Sequence, residues 1–245
     1  MAQLSEELLE KQEQLKQMID EHERIVFFGG AGVSTESGIP DFRSAQGIFT
    51  TSGLMNPEEV VSHSFFMQHP DEFYDFYKKS MVFLDAKPNP AHIKLAELEA
   101  AGKLTAVVTQ NIDGLHQKAG SKNVFELHGS VLRNNCMSCG KFFSAEYVME
   151  CDGIPKCDVC GSMVKPDVVL YEEALDSAVM EGAAKAIMAA DMMIIAGTSL
   201  VVYPAAGFVG CFMGDKLAIV NMSPTPQDGK ADLLIEGPVG QILDF

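Results

Sequence analysis

A short apolar run that ends in closely spaced glycines constrains the fold of this chain most. The run Ile25-Val26-Phe27-Phe28 leads directly into Gly29-Gly30-Ala31-Gly32. A run that is short, apolar and rich in β-formers is typical of a buried parallel strand. Glycines after such a strand let the backbone approach a phosphate, so the stretch predicts the start of a nucleotide-binding βα unit. A tight strand–helix turn also favours glycine, and Thr35 replaces the third glycine of G-x-G-x-x-G.

Strand-like and helical segments alternate along the rest of the chain. The further β-rich runs are residues 105–109, 124–127, 168–171, 192–196, 217–221 and 233–235. Helical patterns cover residues 8–19, 56–84, 91–101 and 177–190 and the region near Ala205. Residues 44–53, which precede the helical pattern at 56–84, are small and polar and predict a mobile loop over the nucleotide site. The alternation predicts an α/β fold with a doubly wound parallel sheet.

The composition excludes several classes of protein. The 245 residues are 47% hydrophobic, which is enough for one large domain with a small insert. No apolar run reaches the roughly 18 residues of a membrane span, and the N-terminal stretch has no signal-peptide region. We therefore expect a cytoplasmic protein, in which thiols stay reduced, and no membrane partner. The net charge of −16 argues against nucleic acid as a partner.

Four of the six cysteines form two C-x-x-C pairs. Cys136 and Cys139 form one pair, Cys157 and Cys160 form the other, and 17 residues separate them. In a reducing compartment this pattern indicates a metal before it indicates disulfides. Four thiolates so spaced predict a closed tetrahedral zinc site, which is structural because it has no open position for water. Redox-active pairs are the alternative, but the sequence places neither pair at a helix N-terminus that would lower a thiol pKa.

Polar side chains follow three of the predicted strands. They are Gln110, Asn111 and Asp113 after one strand, His128 after the next, and the Thr198-Ser199 pair after a third. Ligands bind at the carboxyl ends of strands in open parallel sheets, so we expect one crevice to collect these groups. Singly, each has a structural alternative, since a histidine after a strand is often a cap and Asn-x-Asp is common in turns.

The motifs around these residues resemble one family. Gly30-Ala31-Gly32-Val33-Ser34 followed by Ser37-Gly38-Ile39-Pro40-Asp41-Phe42-Arg43 closely resembles the signature of the sirtuins, the NAD-dependent protein lysine deacylases. Residues 110–113 resemble the sirtuin Q-N-x-D motif, 126–129 its E-L-H-G, 197–200 its G-T-S-L and 202–205 its V-x-P-A. The resemblance runs from Arg24 to Leu243 and, together with the four cysteines, is highly specific.

The resemblance implies a division of the chain into two domains. A Rossmann-like NAD-binding domain would comprise residues 1–43, 86–130 and 166–245. A small domain would combine a helical module, residues 44–85, with a zinc ribbon, residues 131–165. NAD and an acyl-lysine would enter the cleft between the two domains from opposite sides.

The resemblance also implies roles for individual residues. His128 would be the general base, and Asn111 would orient a water or a ribose hydroxyl. An acyl-lysine peptide would pair as an extended strand with Val168 and Val169. NAD would be held by three groups of residues. The nicotinamide-ribose half and the phosphates would contact Ala31, Thr35, Phe42 and Arg43, and the nicotinamide and its ribose would contact Gln110, Ile112 and Asp113. The adenosine half would contact Thr198, Ser199, Asn221 and Val239, and Gly30, Gly32 and Gly197 would lie beside these residues. The zinc ligands would be Cys136, Cys139, Cys157 and Cys160.

The sequence departs from the family pattern at three places and lacks a motif of one branch of the family. Gly29 stands where the family often has Thr or Ser, and Tyr171-Glu172-Glu173 replaces the commoner F-G-E. Asn221-Met222-Ser223 lacks an acidic residue two positions after the asparagine. The succinyl-preferring branch binds the acyl carboxylate with Tyr-x-x-Arg, and the nearest match here, Tyr77-Lys78-Lys79-Ser80, has no arginine. The absence of this arginine predicts a preference for acetyl over succinyl groups.

The function that the resemblance implies is that of a bacterial-type deacetylase, a transferase that uses NAD. It would remove acetyl groups, or other neutral acyl groups, from lysines of proteins or peptides. The products would be nicotinamide, O-acyl-ADP-ribose and free lysine. Two alternatives stay open at this point, namely a mono-ADP-ribosyltransferase that uses the same NAD cleavage, and a NAD-binding sensor or zinc-ribbon interaction module without turnover.

Overall fold

The computed structural model of this chain describes residues 4–51 and 57–245. The strands are β1 (Ile25–Gly29), β2 (Leu104–Thr109), β3 (Val124–Glu126), β4 (Gly129–Cys136), β5 (Phe142–Phe143), β6 (Val164–Val168), β7 (Met192–Ala196), β8 (Lys216–Asn221) and β9 (Leu233–Glu236). The α-helices are α1 (Glu6–Glu21), α2 (Ile48–Thr51), α3 (Pro57–Val60), α4 (His63–Gln68), α5 (Pro70–Ser80), α6 (Pro90–Ala100), α7 (Leu115–Ala119), α8 (Ala145–Glu150), α9 (Ser177–Ala189) and α10 (Val239–Ile242). Among these described residues, none of the helices combines the length and the apolar character of a membrane span.

Six parallel strands form the central sheet in the order β3-β2-β1-β7-β8-β9. Strand β1 pairs with β2 on one side and with β7 on the other, and every neighbouring pair is parallel. This is the doubly wound order, in which the connections run outward from β1 in opposite directions. The prediction of a Rossmann-like parallel sheet is therefore confirmed. The order reverses between β1 and β7, and ligands bind beyond the carboxyl ends of the strands at such a point.

Alternate residues of β1 enter cores on opposite faces of the sheet. Phe27 packs with residues of α1, α6 and α10, whereas Val26 and Phe28 pack with α9 and the 3₁₀ helix Ala205–Cys211. All residues of β1 and β7 are buried, as expected for strands covered on both faces. Each fully buried large side chain contributes roughly 1.5–3 kcal/mol to folding relative to its exposed state. The helix predicted at residues 8–19 is α1, which buries Leu15 on this core.

A second sheet, with helices around it, forms a smaller unit with its own core. Its strands are antiparallel and ordered β5-β4-β6, and residues of α4, α5 and α8 share the core. Phe73 of α5 packs edge-on against Phe66 of α4, with ring centres 4.9 Å apart, and stacks on Tyr77 at 5.6 Å. The aromatic side chains of the segment predicted as helical at residues 56–84 thus contribute to this core within the residues described, and Asn56 lies outside them.

The prediction of a parallel-sheet strand at residues 168–171 is wrong, because only Val168 lies in an observed strand, and that strand belongs to the second sheet. The observed strand is β6, which pairs with β4 in antiparallel register. The physical reason is that a short apolar run carries no information about its partner strand. Strands β4 and β6 also run across the predicted domain boundaries at 130/131 and 165/166. The division into two domains stays a proposal, and the two sheets support it.

Other local predictions differ from the structure in detail. Residues 44–53, predicted as a loop, contain the short helix α2, and residues 52 and 53 lie outside the described part. The glycine stretch forms two 3₁₀ helices, Ala31–Val33 and Thr35–Ser37, and the segment at Ala205 is also 3₁₀. Elements that the sequence argument does not contain are β4, β5, α7, α8 and α10. All are short or carry weak periodicity except β4, which the cysteine pattern obscures.

Candidate active site

The carboxyl ends of the parallel strands open into a cleft that also borders the smaller unit. The cleft has a volume of about 530 Å³, within the range of pockets for small molecules and cofactors. The residues predicted to act on NAD or on the peptide line this cleft, with the exception of Asp113. Asp113 lies in an adjoining cavity of about 30 Å³, which shares Ala31, Asn111 and Ile112 with the cleft. The fold therefore brings the predicted set together in two connected compartments.

Three glycines let the loop after β1 pack against the loop after β7. A Cβ on Gly30 would lie 2.8 Å from the Cβ of Thr198, and one on Gly32 would lie 2.7 Å from the Cα of Gly197. Gly197 itself has a φ of +59°, and a Cβ there would lie 2.3 Å from the nitrogen of Val33. Close backbone packing at the sheet edge therefore requires these glycines. This requirement is separate from any role they have in letting a phosphate approach the backbone.

A hydrogen-bonded group fixes Asp113 in the small cavity. Ser34 Oγ donates to Asp113 Oδ2 at 2.6 Å, and Asn111 Nδ2 donates to Ser34 Oγ at 3.1 Å. The backbone N–H of Leu115 donates to Asp113 Oδ1 at 2.8 Å. Burial raises the pKa of Asp113, and the bonds from Ser34 and Leu115 oppose that shift. The sequence pattern does not predict this role of Ser34. The one feature that could have indicated it is the position of Ser34 within the glycine-rich signature.

Three polar side chains join the ends of β2, β7 and β8. Gln110 Nε2 donates to Thr198 Oγ1 at 2.9 Å. The backbone N–H of Thr198 donates to Asn221 Oδ1, and Asn221 Nδ2 donates to the carbonyl of Thr198, both at 2.9 Å. These bonds hold the strand ends in fixed positions, while Ser199 is exposed at the cleft and Val239 is buried behind it.

His128 follows β3 and presents an imidazole with one determined tautomer. Its Nδ1 lies 3.0 Å from the carbonyl oxygen of Gln110. Because a carbonyl only accepts, Nδ1 carries the proton and Nε2 keeps a free lone pair. Burial lowers the pKa of His128 below its ordinary value, and the bond to Gln110 opposes that shift. A neutral imidazole with a free Nε2 is what a general base requires.

One wall of the cleft is apolar and belongs mostly to the smaller unit. Its side chains are Phe49, Val61, Met81, Val168 and Leu170. Phe42, on the loop after β1, packs against Phe49 with ring centres 5.2 Å apart. Such a wall suits an uncharged ligand group, since burying an unpaired charge against it would be costly. Sequence reasoning identifies Phe42 and Val168 here but not Phe49 or Met81.

The four paired cysteines form a compact cluster in the smaller unit. Their sulfur atoms all lie within 4.8 Å of one another. Cys136 Sγ lies 3.4 Å from Cys160 Sγ, and Cys139 Sγ lies 3.6 Å from Cys157 Sγ. A tetrahedral zinc with Zn–S bonds of about 2.3 Å separates its sulfurs by roughly 3.8 Å, so the four residues fit this ion. The prediction of a four-thiolate zinc site is consistent with this geometry.

Comparison with known proteins gives one consistent family. A model of the Sir2 family matches residues 30–204. The NAD-dependent protein deacetylase of Clostridium acetobutylicum is 56% identical over 240 residues, which are 97% of this chain and 98% of that protein. The NAD-dependent protein deacetylase of Clostridium perfringens is 58% identical over 237 residues, which are 96% of this chain and 97% of that protein.

Solved structures of Sir2 proteins are similar to the whole fold. One, described as Sir2 with a deacetylated p53 peptide and 3'-O-acetyl ADP-ribose, has a TM-score of 0.87 at 41% identity and covers 94% of this chain and 95% of its own. Another, described as a Sir2–p53 peptide–NAD+ complex, has a TM-score of 0.84 at 40% identity and covers 94% of each chain. A third, Sir2Tm bound to a propionylated peptide, has a TM-score of 0.84 at 40% identity and covers 95% of each chain.

Proposed function

This chain belongs to the Sir2 family, and from that premise we propose that it is an NAD-dependent deacetylase acting on acetyl-lysines of proteins. The observation that carries the proposal is the position of His128. It lines the same cleft as Asn111 and Gln110, at the carboxyl edge of a doubly wound sheet, with Nε2 free to accept a proton. Relatives more than 50% identical over nearly the full chain are named as NAD-dependent deacetylases, and this supports the deacetylase over the transferase and the sensor.

The cleft has the size and the polar groups that NAD requires. We assign the adenosine half to the edge held by Thr198 and Asn221, whose hydrogen bonds fix the strand ends. The nicotinamide would enter the small cavity, where Ser34 and Asn111 hold the Asp113 carboxylate in one orientation toward a carboxamide. Arg43 at the outer wall would bind the diphosphate, because a guanidinium pairs well with phosphate oxygens.

The chemistry divides between NAD and the chain. NAD supplies a cationic nicotinamide leaving group and a ribose carbon that accepts the acyl oxygen. His128 Nε2 then takes a proton from a ribose hydroxyl, and its Nδ1–H bond to Gln110 holds the ring during the transfer. Asn111 orients a water or a ribose hydroxyl. The apolar wall excludes bulk water from the acyl group.

An acyl-lysine peptide would bind beside β6. Strand β6 is an edge strand of the three-stranded sheet, since β4 is its only sheet partner in the described chain. An extended peptide can add to such an edge through main-chain hydrogen bonds, with Val168 and Val169 lining the cleft at that point. The acyl-lysine side chain would then reach His128 past the apolar wall. Solved relatives carry acetylated or propionylated peptides, which supports this substrate class.

Zinc would hold the smaller unit together and take no part in the reaction. The four thiolates fill a tetrahedral coordination sphere, so no position stays open for water. A cytoplasmic location fits four metal-binding thiols that must stay reduced, and it is part of the proposal. Neither nucleic acid nor a membrane surface is a proposed partner, because the net charge is −16.

The proposal is tested by incubating the protein with NAD and an acetyl-lysine peptide and analysing the products by mass spectrometry. We expect nicotinamide, O-acetyl-ADP-ribose and deacetylated peptide in equal amounts. Transfer of ADP-ribose from labelled NAD to protein, without deacetylation, would favour the mono-ADP-ribosyltransferase. Binding of NAD without any product would favour the sensor.

Acyl choice gives a sharper prediction. Neither lysine of α5 points toward the apolar wall of the cleft: Lys78 Nζ donates to the carbonyls of Cys151 and Gly153, and Lys79 pairs with Asp75. A succinyl carboxylate would therefore lie against apolar side chains without a cationic partner from α5. We expect catalytic efficiency on an acetyl-lysine peptide to exceed that on the succinyl version by at least roughly tenfold, with a neutral butyryl group between them. Equal or higher turnover of the succinyl peptide would contradict this reading of the pocket.

A further inference from the structure

Arg43 is held by two side chains from distant parts of the chain. Its Nη2 donates to Glu58 Oε1 at 2.7 Å and to the hydroxyl of Tyr171 at 2.8 Å. The guanidinium carbon lies 5.6 Å from the centre of the Phe49 ring. Burial alone would lower the pKa of Arg43, yet the pKa is raised, because Glu58 and Tyr171 stabilise the charged form.

The bond between Arg43 and Tyr171 joins two distant chain segments that both line the cleft. Arg43 lies on the loop after β1, Tyr171 lies just beyond β6, and both line the cleft. The main chain of Tyr171 is fixed, since its N–H donates to the carbonyl of Val61 at 3.0 Å and its carbonyl accepts from the N–H of His63 at 2.9 Å. The hydroxyl is thus presented from a segment that cannot shift without breaking two backbone hydrogen bonds.

Most of the guanidinium is left free by this arrangement. An arginine has five N–H donors, and here Nη2 makes both bonds. Within residues 4–51 and 57–245, the structure shows no hydrogen-bond partner for Nε or Nη1 of Arg43. A guanidinium group that is already oriented loses less conformational entropy than a mobile one when it binds a multi-oxygen anion such as a diphosphate.

We propose that the Tyr171 hydroxyl is a positioning group for Arg43, which it holds ready to receive the diphosphate of NAD. The proposal rests on the function proposed above. The hydroxyl comes from the Tyr171-Glu172-Glu173 segment, and the phenylalanine of the commoner F-G-E has no oxygen to accept the bond. Since Tyr171 follows the edge strand that would bind the peptide, one hydrogen bond links the peptide side of the cleft to the cofactor side.

The variant Tyr171→Phe removes the hydroxyl and keeps the ring. We expect the KM for NAD and the Kd for ADP-ribose to rise by about 3- to 10-fold, because a part-exposed hydrogen bond to a charged group is worth about that much. The kcat should stay within about twofold, since an interaction equal in ground and transition states affects KM alone. The matched control is Tyr147→Phe, which removes a hydroxyl bond to the carbonyl of Lys156 away from the cleft and should leave both constants unchanged.

A double-mutant cycle with Arg43→Ala separates positioning from other effects of the hydroxyl. We expect Tyr171→Phe to change the Kd for ADP-ribose by less than about 1.5-fold once the guanidinium is absent. The proposal is overturned if Tyr171→Phe has the same effect in both backgrounds, if it leaves the Kd unchanged, or if it tightens binding. If the unsubstituted protein neither deacetylates peptide nor binds ADP-ribose, the proposed function fails instead, so the two failures are distinguishable.

Discussion

Replacing His128 by alanine should lower the rate of deacetylation by about 10²–10⁴, the usual effect of removing a general base. The reason is that Nε2 of His128 keeps a free lone pair in the cleft, because the bond from Nδ1 to the carbonyl of Gln110 holds the ring in one tautomer. Affinity for NAD should change little, because the proton transfer follows binding. Steady-state kinetics on an acetyl-lysine peptide and calorimetric titration with ADP-ribose measure the two quantities.

A matched control for this variant is His69→Ala. His69 precedes α5, is about half exposed and lies outside the cleft, so its loss should leave the rate unchanged. Retention of more than about a tenth of the activity in His128→Ala would show that another group is the base. Loss of NAD affinity together with the rate would show instead that the imidazole has a binding role.

The same assignment fixes the direction of the pH dependence. A base acts in its neutral form, so the rate is constant above the pKa of His128 and falls as the pH drops through it. Burial puts that pKa below the ordinary value of 6.5. We therefore expect the acid limb of log kcat/KM to lie below pH 6.5 and to vanish in His128→Ala. An acid limb centred above pH 7 would contradict the environment described for this histidine.

The parallel sheet could be predicted because strands that are buried on both faces appear in the sequence as continuous apolar runs. The run at residues 192–196 is apolar throughout, and β7 occupies those five positions with every residue buried. Glycines beyond β1 and polar residues beyond β2 and β7 marked the sheet edge for the same reason. Fold rules then placed these edges together, since the carboxyl ends of parallel strands face one side.

The side-chain contacts that shape the site could not be predicted from the sequence in this way. Ser34 and Asp113 are 79 residues apart, and Arg43 and Tyr171 are 128 apart. A serine in a glycine-rich loop has many local roles, and nothing in its neighbourhood identifies a distant carboxylate as its partner. The strand predicted at residues 168–171 is wrong in its bounds and in its sheet for a similar reason, because pairing depends on chain segments far away.

Removing the zinc ligands should have the second large effect, on folding. Metal analysis should find one zinc per chain, and Cys136→Ala or Cys160→Ala should unfold the smaller unit or cause aggregation. The expected magnitude is large because structural zinc sites contribute roughly 10–16 kcal/mol of apparent binding free energy that is coupled to folding. The matched control is Cys151→Ala, since Cys151 is a free cysteine outside the cluster and should leave the metal content unchanged.

The effect should reach the active site because the cluster and the cleft share one core. Cys136 ends β4, Cys157 packs in the same core, and β6, which pairs with β4, contributes Val168 to the apolar wall. Loss of zinc should therefore abolish deacetylation. ADP-ribose should still bind at the edge of the central sheet, but with lower affinity than in the zinc-loaded protein. Removal of zinc by a chelator, followed by circular dichroism and titration, measures both. A zinc-free protein that is fully folded and fully active would show that the four thiolates are not a structural metal site.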